Sequence, residues 1–198
     1  MSGFVHLHVH SEYSLLDGAA RIGDVIAKAK ALGQTAIAIT DHGAMYGVVD
    51  FYNAAKKAGI KPILGYEAYV AADLHEKTSK NREYAHLLLL AKTQQGYQNL
   101  MQLCSIGFLE GYYYKPRIDY DTLEKYSEGL ICSSACIGGD LPQMLLQGRM
   151  EEARALALRL KGMFGRDFYI EIQDHGLPEE RKANAGLVEL AKKYDVGL

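Results

Sequence analysis

The chain has 198 residues, 48% of them hydrophobic and 23% charged, with 22 basic and 24 acidic side chains and a formal net charge of −2. This composition fits one well-buried soluble domain and excludes a disordered tail, a membrane-spanning run and broad electrostatic binding of nucleic acid, while leaving room for a local basic site that handles a DNA end. Three cysteines cannot all pair within one chain, and the N-terminus lacks the layout of a signal peptide. Cys104, Cys132 and Cys136 are therefore expected as free thiols in a reducing, cytoplasmic setting.

Alternating strand and helix patterns run through the sequence, six units in all, the signature of βα units around a mostly parallel sheet or barrel. The first strand is expected over about 4–10, where His6, His8 and His10 recur with the strand period of two. Ile22, Val25, Ile26, Ala29 and Leu32 then recur at helical spacing and stop at Gly33. Thr35–Thr40 reads as the second strand, Val48–Ala58 as a helix closed by Gly59, and Lys61–Ala71 as the third strand. The polar stretch Ala72–Tyr84 has no helical apolar period, so the next strand, about 86–91, is expected to return antiparallel to the third. That return brings His86 to the far end of the third strand.

A helix near 96–108, an irregular stretch over Glu110–Ile118 and a short helix near 120–126 come next. Strand five is expected at about 130–134, helices at 140–147 and 150–164, strand six at 167–172 and a last helix at 179–194. A further strand is due at Val196-Gly197-Leu198, and a barrel without its closing strand exposes edges that folds usually cover. The sequence thus reads as one domain, 1–198, cut from a longer protein.

In α/β barrels and sheets, sites collect at the C-terminal ends of strands. That rule selects His8 and His10 as metal ligands, two imidazoles about 6.6 Å apart along a strand, and leaves His6 in a supporting or core role. Asp17 follows in a turn. Thr40-Asp41-His42-Gly43 places His42 to ligate and Asp41 to orient it or to cap the next helix. Glu67 stands in the apolar run Ile63–Val70, where a charge is costly unless paired or metal-bound, and its two oxygens can bridge two cations. His86 and Cys136 complete the candidate set, while Cys132 is assigned to packing. Mixed nitrogen, oxygen and sulfur ligands suit Zn²⁺, or Mn²⁺, Fe²⁺ or Co²⁺, better than Mg²⁺ or Ca²⁺. Seven candidates exceed one ion's needs, and two or three close ions would clamp a phosphate and lower the pKa of a bound water. Phosphoester hydrolysis is the reaction class that follows.

The order His8-Val9-His10-Ser11, Leu16-Asp17-Gly18, Thr40-Asp41-His42-Gly43, Gly65-Tyr66-Glu67, His86-Leu87-Leu88-Leu89 and Ser134-Ala135-Cys136 resembles the PHP (polymerase and histidinol phosphatase) domain family. Within it, the chain resembles the N-terminal PHP domains of the alpha subunits of bacterial C-family replicative polymerases, DNA polymerase III. The resemblance implies a distorted seven-stranded βα barrel of the PHP type, here truncated before its last strand, with the polymerase core absent. It implies up to three ions held by His8, His10, Asp17, His42, Glu67, His86 and Cys136, with an Asp and a His after the seventh strand completing the set. The implied activity is metal-dependent phosphodiester hydrolysis, a 3′-5′ exonuclease in the service of DNA replication, with DNA-directed polymerisation belonging to the rest of the protein. Implied partners are a DNA 3′ end, the remainder of the alpha subunit and other replisome subunits. Lys115 and Arg117, beside Tyr112, Tyr113 and Tyr114, are candidates to hold a DNA phosphate and stack a base, the alternative being a surface loop with buried aromatics, and His175 is a candidate to approach the site, against a solvated loop histidine. The alternatives are a non-catalytic module that stabilises the polymerase or docks a proofreading subunit, and a small-molecule phosphatase of the histidinol phosphatase kind.

Overall fold

A computed structural model of the chain describes residues 3–15, 17–78 and 83–198. In chain order the elements are α1 (Ile22–Ala31), β1 (Ala36–Ile39), α2 (Val48–Ala58), β2 (Lys61–Val70), β3 (Ala85–Ala91), α3 (Gln94–Leu109), β4 (Arg117–Ile118), α4 (Tyr120–Lys125), β5 (Leu130–Ser133), α5 (Asp140–Leu146), α6 (Met150–Phe164), β6 (Phe168–Tyr169) and α7 (Pro178–Tyr194). The strands form one open six-stranded sheet in the order β1-β2-β3-β5-β6, with β4 pairing β2. β1 and β4 run parallel to β2, β3 returns antiparallel to both β2 and β5, and β6 runs parallel to β5.

Strand alternation divides the chemistry. Tyr66, Ala68 and Val70 of β2 and Leu87 and Leu89 of β3 point outward into a core shared with α3 to α7. Helices α1 and α2 cover β1 through Ile22, Ile26, Val48 and Phe51, which pack against Ile37 and Ile39. Each such side chain contributes about 1.5–3 kcal/mol when fully buried. Residues of opposite parity, Ile63 of β2, Leu88 and Leu90 of β3 and Ile131 of β5, line a cavity of about 760 Å³ on the concave face. Glu67 and His86 share that parity nearer one end, so the fold sets a polar cluster over an apolar floor.

Several boundaries fall where periodicity places them. Gly59 closes α2 at φ 75°, a left-handed conformation that glycine adopts without Cβ strain. β3 pairs Tyr69 with His86, which is the antiparallel return. Three expectations fail. Residues 4–10 are not a regular strand: their backbone bonds to β1 and the residue after it are Ala38 N to His6 O (2.9 Å) and Thr40 N to Val9 O (2.8 Å), with the Thr40 hydroxyl also bonding Val9. Three steps of one segment then oppose two of the other, an extra residue that breaks the ladder. β4 lies in a stretch read as irregular, since two residues are too few for a periodic signal. β6 covers only Phe168–Tyr169 because a 3₁₀ turn, Gly165–Asp167, occupies its expected start, and Ile170 bonds instead to Gly197 O at 2.8 Å.

Candidate metal centre

Glu67 sits at the middle of the cluster and is 1% exposed. β2 carries it, with its backbone N donating to Asp41 O at 3.0 Å. Four imidazoles converge on its carboxylate. His8 Nε2 lies 3.4 Å from Oε1 and His86 Nδ1 3.1 Å from it, while His10 Nε2 lies 3.3 Å and His42 Nδ1 2.7 Å from Oε2. Asp17 stands across the opening, its Oδ2 2.7 Å from His42 Nε2 and 3.4 Å from His10 Nδ1. Cys136 Sγ is 3.4 Å from both Glu67 Oε1 and His86 Nδ1.

The segments bearing these groups are held firmly. Asp41, 2% exposed, accepts from Ser11 N (2.6 Å), Ser11 Oγ (2.7 Å) and Ser14 Oγ (2.7 Å). His42 N donates to Ser14 Oγ at 3.0 Å, so Ser14 ties the first segment to the second. Gly43 follows at φ 62°, and a Cβ there would come 2.7 Å from the Tyr69 ring. That glycine lets His42 stack parallel on Tyr69, with centroids 5.8 Å apart.

His8 Nε2, His42 Nδ1 and Glu67 Oε2 are buried with no hydrogen-bond partner, although 2.7 Å separates the last two. These polar atoms converge without a hydrogen bond between them, which is the arrangement of ligands around a cation. Zinc–nitrogen bonds of 2.0–2.1 Å in a tetrahedron put neighbouring ligand atoms about 3.4 Å apart, matching most of the spacings here. Three overlapping groups satisfy this crowding, His8-His10-Glu67, His10-Asp17-His42 and His42-Glu67-His86, each with ligand atoms within 4.8 Å of one another. The residues are compatible with a metal site, Glu67 belonging to two of the three groups.

Charge within the cluster is mutually arranged. Burial opposes ionisation of Glu67, yet the imidazoles of His42, His8 and His86 outweigh it and hold the carboxyl far below the usual range. Burial likewise opposes the His8 imidazolium, but Glu171 and Glu67 raise it to about 10. Burial, reinforced by the charge of Glu67, pushes the Cys136 thiol up to about 12. A thiolate at Cys136 therefore needs a cation beside it.

Of the residues singled out in the sequence, His8, His10, Asp17, His42, Glu67, His86 and Cys136 meet here. Leu16, quoted beside Asp17, lies outside the described residues. His6 does not join them: it is exposed on the wall of the apolar cavity, edge-on to Phe4 at 4.8 Å, because the extra residue between His6 and Val9 ends the shared face. Asp41 neither orients the His42 ring nor caps α2, whose N-cap Gly47 has no side-chain bond. Its oxygens are taken by the serine turn. Arg117 is 0% exposed, so it is no phosphate contact: it donates to Gly111 O (3.2 Å) and Glu76 O (3.3 Å) and lies 5.2 Å over the Tyr113 ring. His175, largely exposed, pairs its Nδ1 with Glu180 Oε1 at 2.7 Å and joins none of the three ligand groups. Lys115 stands 5.2 Å over the ring of Tyr69, one ring away from His42. Cys132 is buried in the core, as its packing assignment requires.

Two neighbours of the cluster escaped the sequence reading. Glu171 follows β6 and holds His8 Nδ1 at 2.7 Å. The signal was available, since Glu171 interrupts Phe168–Ile172 as Glu67 interrupts its own apolar run. Tyr84 stacks on His86 at 6.2 Å and meets Tyr69 edge-on at 4.8 Å, but a tyrosine beside a loop carries no such signal.

The PHP domain profile matches residues 6–175. The chain is 53% identical over its full length to DNA polymerase III subunit alpha of Borreliella burgdorferi, covering 17% of that protein. It is 49% identical to the Treponema pallidum subunit and 48% identical to the Thermus aquaticus one, covering 98% of this chain and 17% and 16% of theirs. The chain thus spans about a sixth of the length of these relatives. A crystal structure from Bifidobacterium adolescentis, assigned as a metal-dependent phosphoesterase, superposes over 98% of this chain and 85% of its own with a TM-score of 0.57 at 14% identity, a likeness of fold. No helix among the described residues is long and apolar enough to cross a membrane.

Proposed function

The chain belongs to the PHP domain family, in the form carried by bacterial DNA polymerase III alpha subunits, and on that premise we propose that it is a metal-dependent phosphodiesterase domain acting on DNA 3′ ends. The observation that carries the proposal is the convergence of four imidazoles, two carboxylates and a thiol with three buried ligand atoms left unpaired. His8, His10, Asp17, His42, Glu67, His86 and Cys136 would hold the ions, with Zn²⁺ the first choice by donor chemistry and Mn²⁺, Fe²⁺ or Co²⁺ as alternatives. Bound cations would supply Lewis-acid polarisation of the phosphodiester and activation of water. The protein's own part is to fix that geometry. Glu67 joins the subsites, the serine turn on Asp41 holds the His10 and His42 segments, and Lys115 offers a cation one ring from His42 for the substrate phosphate.

The same reading takes the open sheet as part of a distorted seven-stranded barrel, supported by the parallel pairing of Tyr169 with Gly197 beyond β6. The partners are then the rest of the alpha subunit, which would carry DNA-directed polymerisation, and the other proteins of a cytoplasmic replication machinery. The test is release of 3′-terminal nucleotides from labelled DNA by a full-length alpha subunit bearing this chain. Metal-dependent release abolished by His10→Ala is expected, and a metal-replete, inert protein would refute the catalytic reading.

One observation favours a second reading, a docking module. Tyr46, Phe108 and Tyr112 follow one another at 6.0 and 6.3 Å, with Tyr46 and Tyr112 exposed, and form an aromatic strip. On that reading Glu67→Ala weakens folding or assembly and removes no nuclease activity.

A further inference from the structure

We propose that Glu171 is a positioning residue that fixes the tautomer and ring orientation of His8, so that His8 offers Nε2, and only Nε2, to a cation shared with Glu67 and His10. The inference rests on the metal-centre reading above and adds to it a residue outside the ligand set.

Each oxygen of Glu171 is already engaged. Oε1 accepts from His8 Nδ1 at 2.7 Å and from Gln173 Nε2 at 2.7 Å, and Oε2 accepts from Ser133 Oγ at 2.6 Å. The backbone is pinned as well, with Glu171 N donating to Ser134 Oγ at 2.9 Å. A carboxylate only accepts, so the nitrogen it faces carries the proton, and in the neutral ring that a cation requires the other nitrogen carries the lone pair. That other nitrogen, His8 Nε2, is the buried atom without a hydrogen-bond partner, 3.4 Å from Glu67 Oε1.

The arrangement is particular to His8. The far nitrogens of His10 and His42 face Asp17, itself a member of one ligand group, whereas Glu171 belongs to none of the three. Glu171 therefore acts through His8 and not as a ligand of its own. Ser133 and Ser134 tie it to β5, and its place after β6 fixes it across the concave face from Glu67. The imidazole is clamped between two carboxylates from different parts of the sheet, Glu67 on β2 and Glu171 after β6.

The test is Zn²⁺ affinity of the full 198-residue chain, measured by competition with a chromogenic chelator, in a double-mutant cycle with His8→Ala. Glu171→Ala is expected to weaken Zn²⁺ binding about 10–100-fold, the usual cost of losing such a partner, and Glu171→Gln, which keeps the size and an acceptor oxygen, to recover most of it. In the His8→Ala background, Glu171→Ala is expected to cost nothing further. Unchanged affinity in Glu171→Ala, or the same loss with and without His8, overturns the proposal. Should Glu171→Ala not fold, ¹⁵N NMR of the Zn²⁺-loaded wild-type chain decides, with a protonated Nδ1 expected at His8 and coordination through Nδ1 refuting the claim. A wild-type chain that binds no Zn²⁺ defeats the metal-centre reading itself, an outcome distinct from wild-type binding that Glu171 leaves untouched.

Discussion

Replacing Arg117 by alanine removes the largest fully buried side chain among the described residues. Its guanidinium ties two loops that border the site, donating to Gly111 O and Glu76 O while lying over Tyr113. Hydrogen bonds from a charged donor contribute about 1.5–3 kcal/mol each, and a desolvated cation–π contact about 2 kcal/mol. Desolvation of the guanidinium offsets part of that sum. The two carbonyls left unpaired, together with the cavity, bring the expected loss to about 3 kcal/mol. For a domain of this length that is a fall in thermal midpoint of about 6–12 °C. Arg117→Lys should recover less than half, because an ammonium cannot reproduce the planar fork. Urea and thermal unfolding measure the loss, and the salt dependence of single-stranded DNA binding supplies the contrast. Unchanged stability, with a salt slope reduced by about one phosphate contact, would show that Arg117 faces DNA and would refute the reasoning.

Lys115→Ala should do the reverse, leaving stability within about 0.5 kcal/mol and weakening DNA binding, as read in the same two assays. Gly43→Ala should cost about 2 kcal/mol in chemical denaturation and weaken Zn²⁺ binding, since it strains a φ of 62° and drives a methyl into the Tyr69 ring that stacks on His42. Asp119 caps α4: burial works against its carboxylate, but bonds from Thr122 and Leu74 N prevail and hold its pKa below the usual value. A depressed carboxyl stabilises fully above its unfolded pKa of about 3.9 and loses that contribution as pH falls through the lower folded value. Asp119→Ala should therefore cost about 1 kcal/mol at pH 7, with the gap to wild type narrowing below pH 4 in urea titrations. Chelator treatment of a metal-loaded sample should lower the unfolding free energy by about 2.7 kcal/mol when the free metal had stood at a hundred times its dissociation constant, as followed by calorimetry.

Where periodicity or a misplaced charge carried the information, the sequence was readable. Glu67 and the alternating His8 and His10 violate the apolar pattern of their segments, and a violated pattern is visible without coordinates. The antiparallel return of β3 was legible because Ala72–Tyr84 has no helical period, although residues 79–82 of that loop lie outside the described residues. Arg117 was misread for a physical reason. A basic residue beside three tyrosines looks the same whether it faces solvent or is folded inward over one of those rings, and only the two-residue pairing of β4 with β2 decides. Asp41 was misassigned because its partners, Ser11 and Ser14, lie some thirty residues away in the chain. The irregularity at residues 4–10 was equally hidden, since a bulge leaves the apolar alternation of the sequence untouched.

The central claim is that the groups around Glu67 hold divalent cations. Elemental analysis of the purified chain after equilibration with Zn²⁺ and removal of free metal tests it most directly, with Glu67→Gln alongside. The account predicts at least one tightly held zinc per wild-type chain and a clear loss in Glu67→Gln, whose fold is retained. A wild-type chain that comes through free of metal, or a Glu67→Gln chain that keeps the same zinc content, would contradict it.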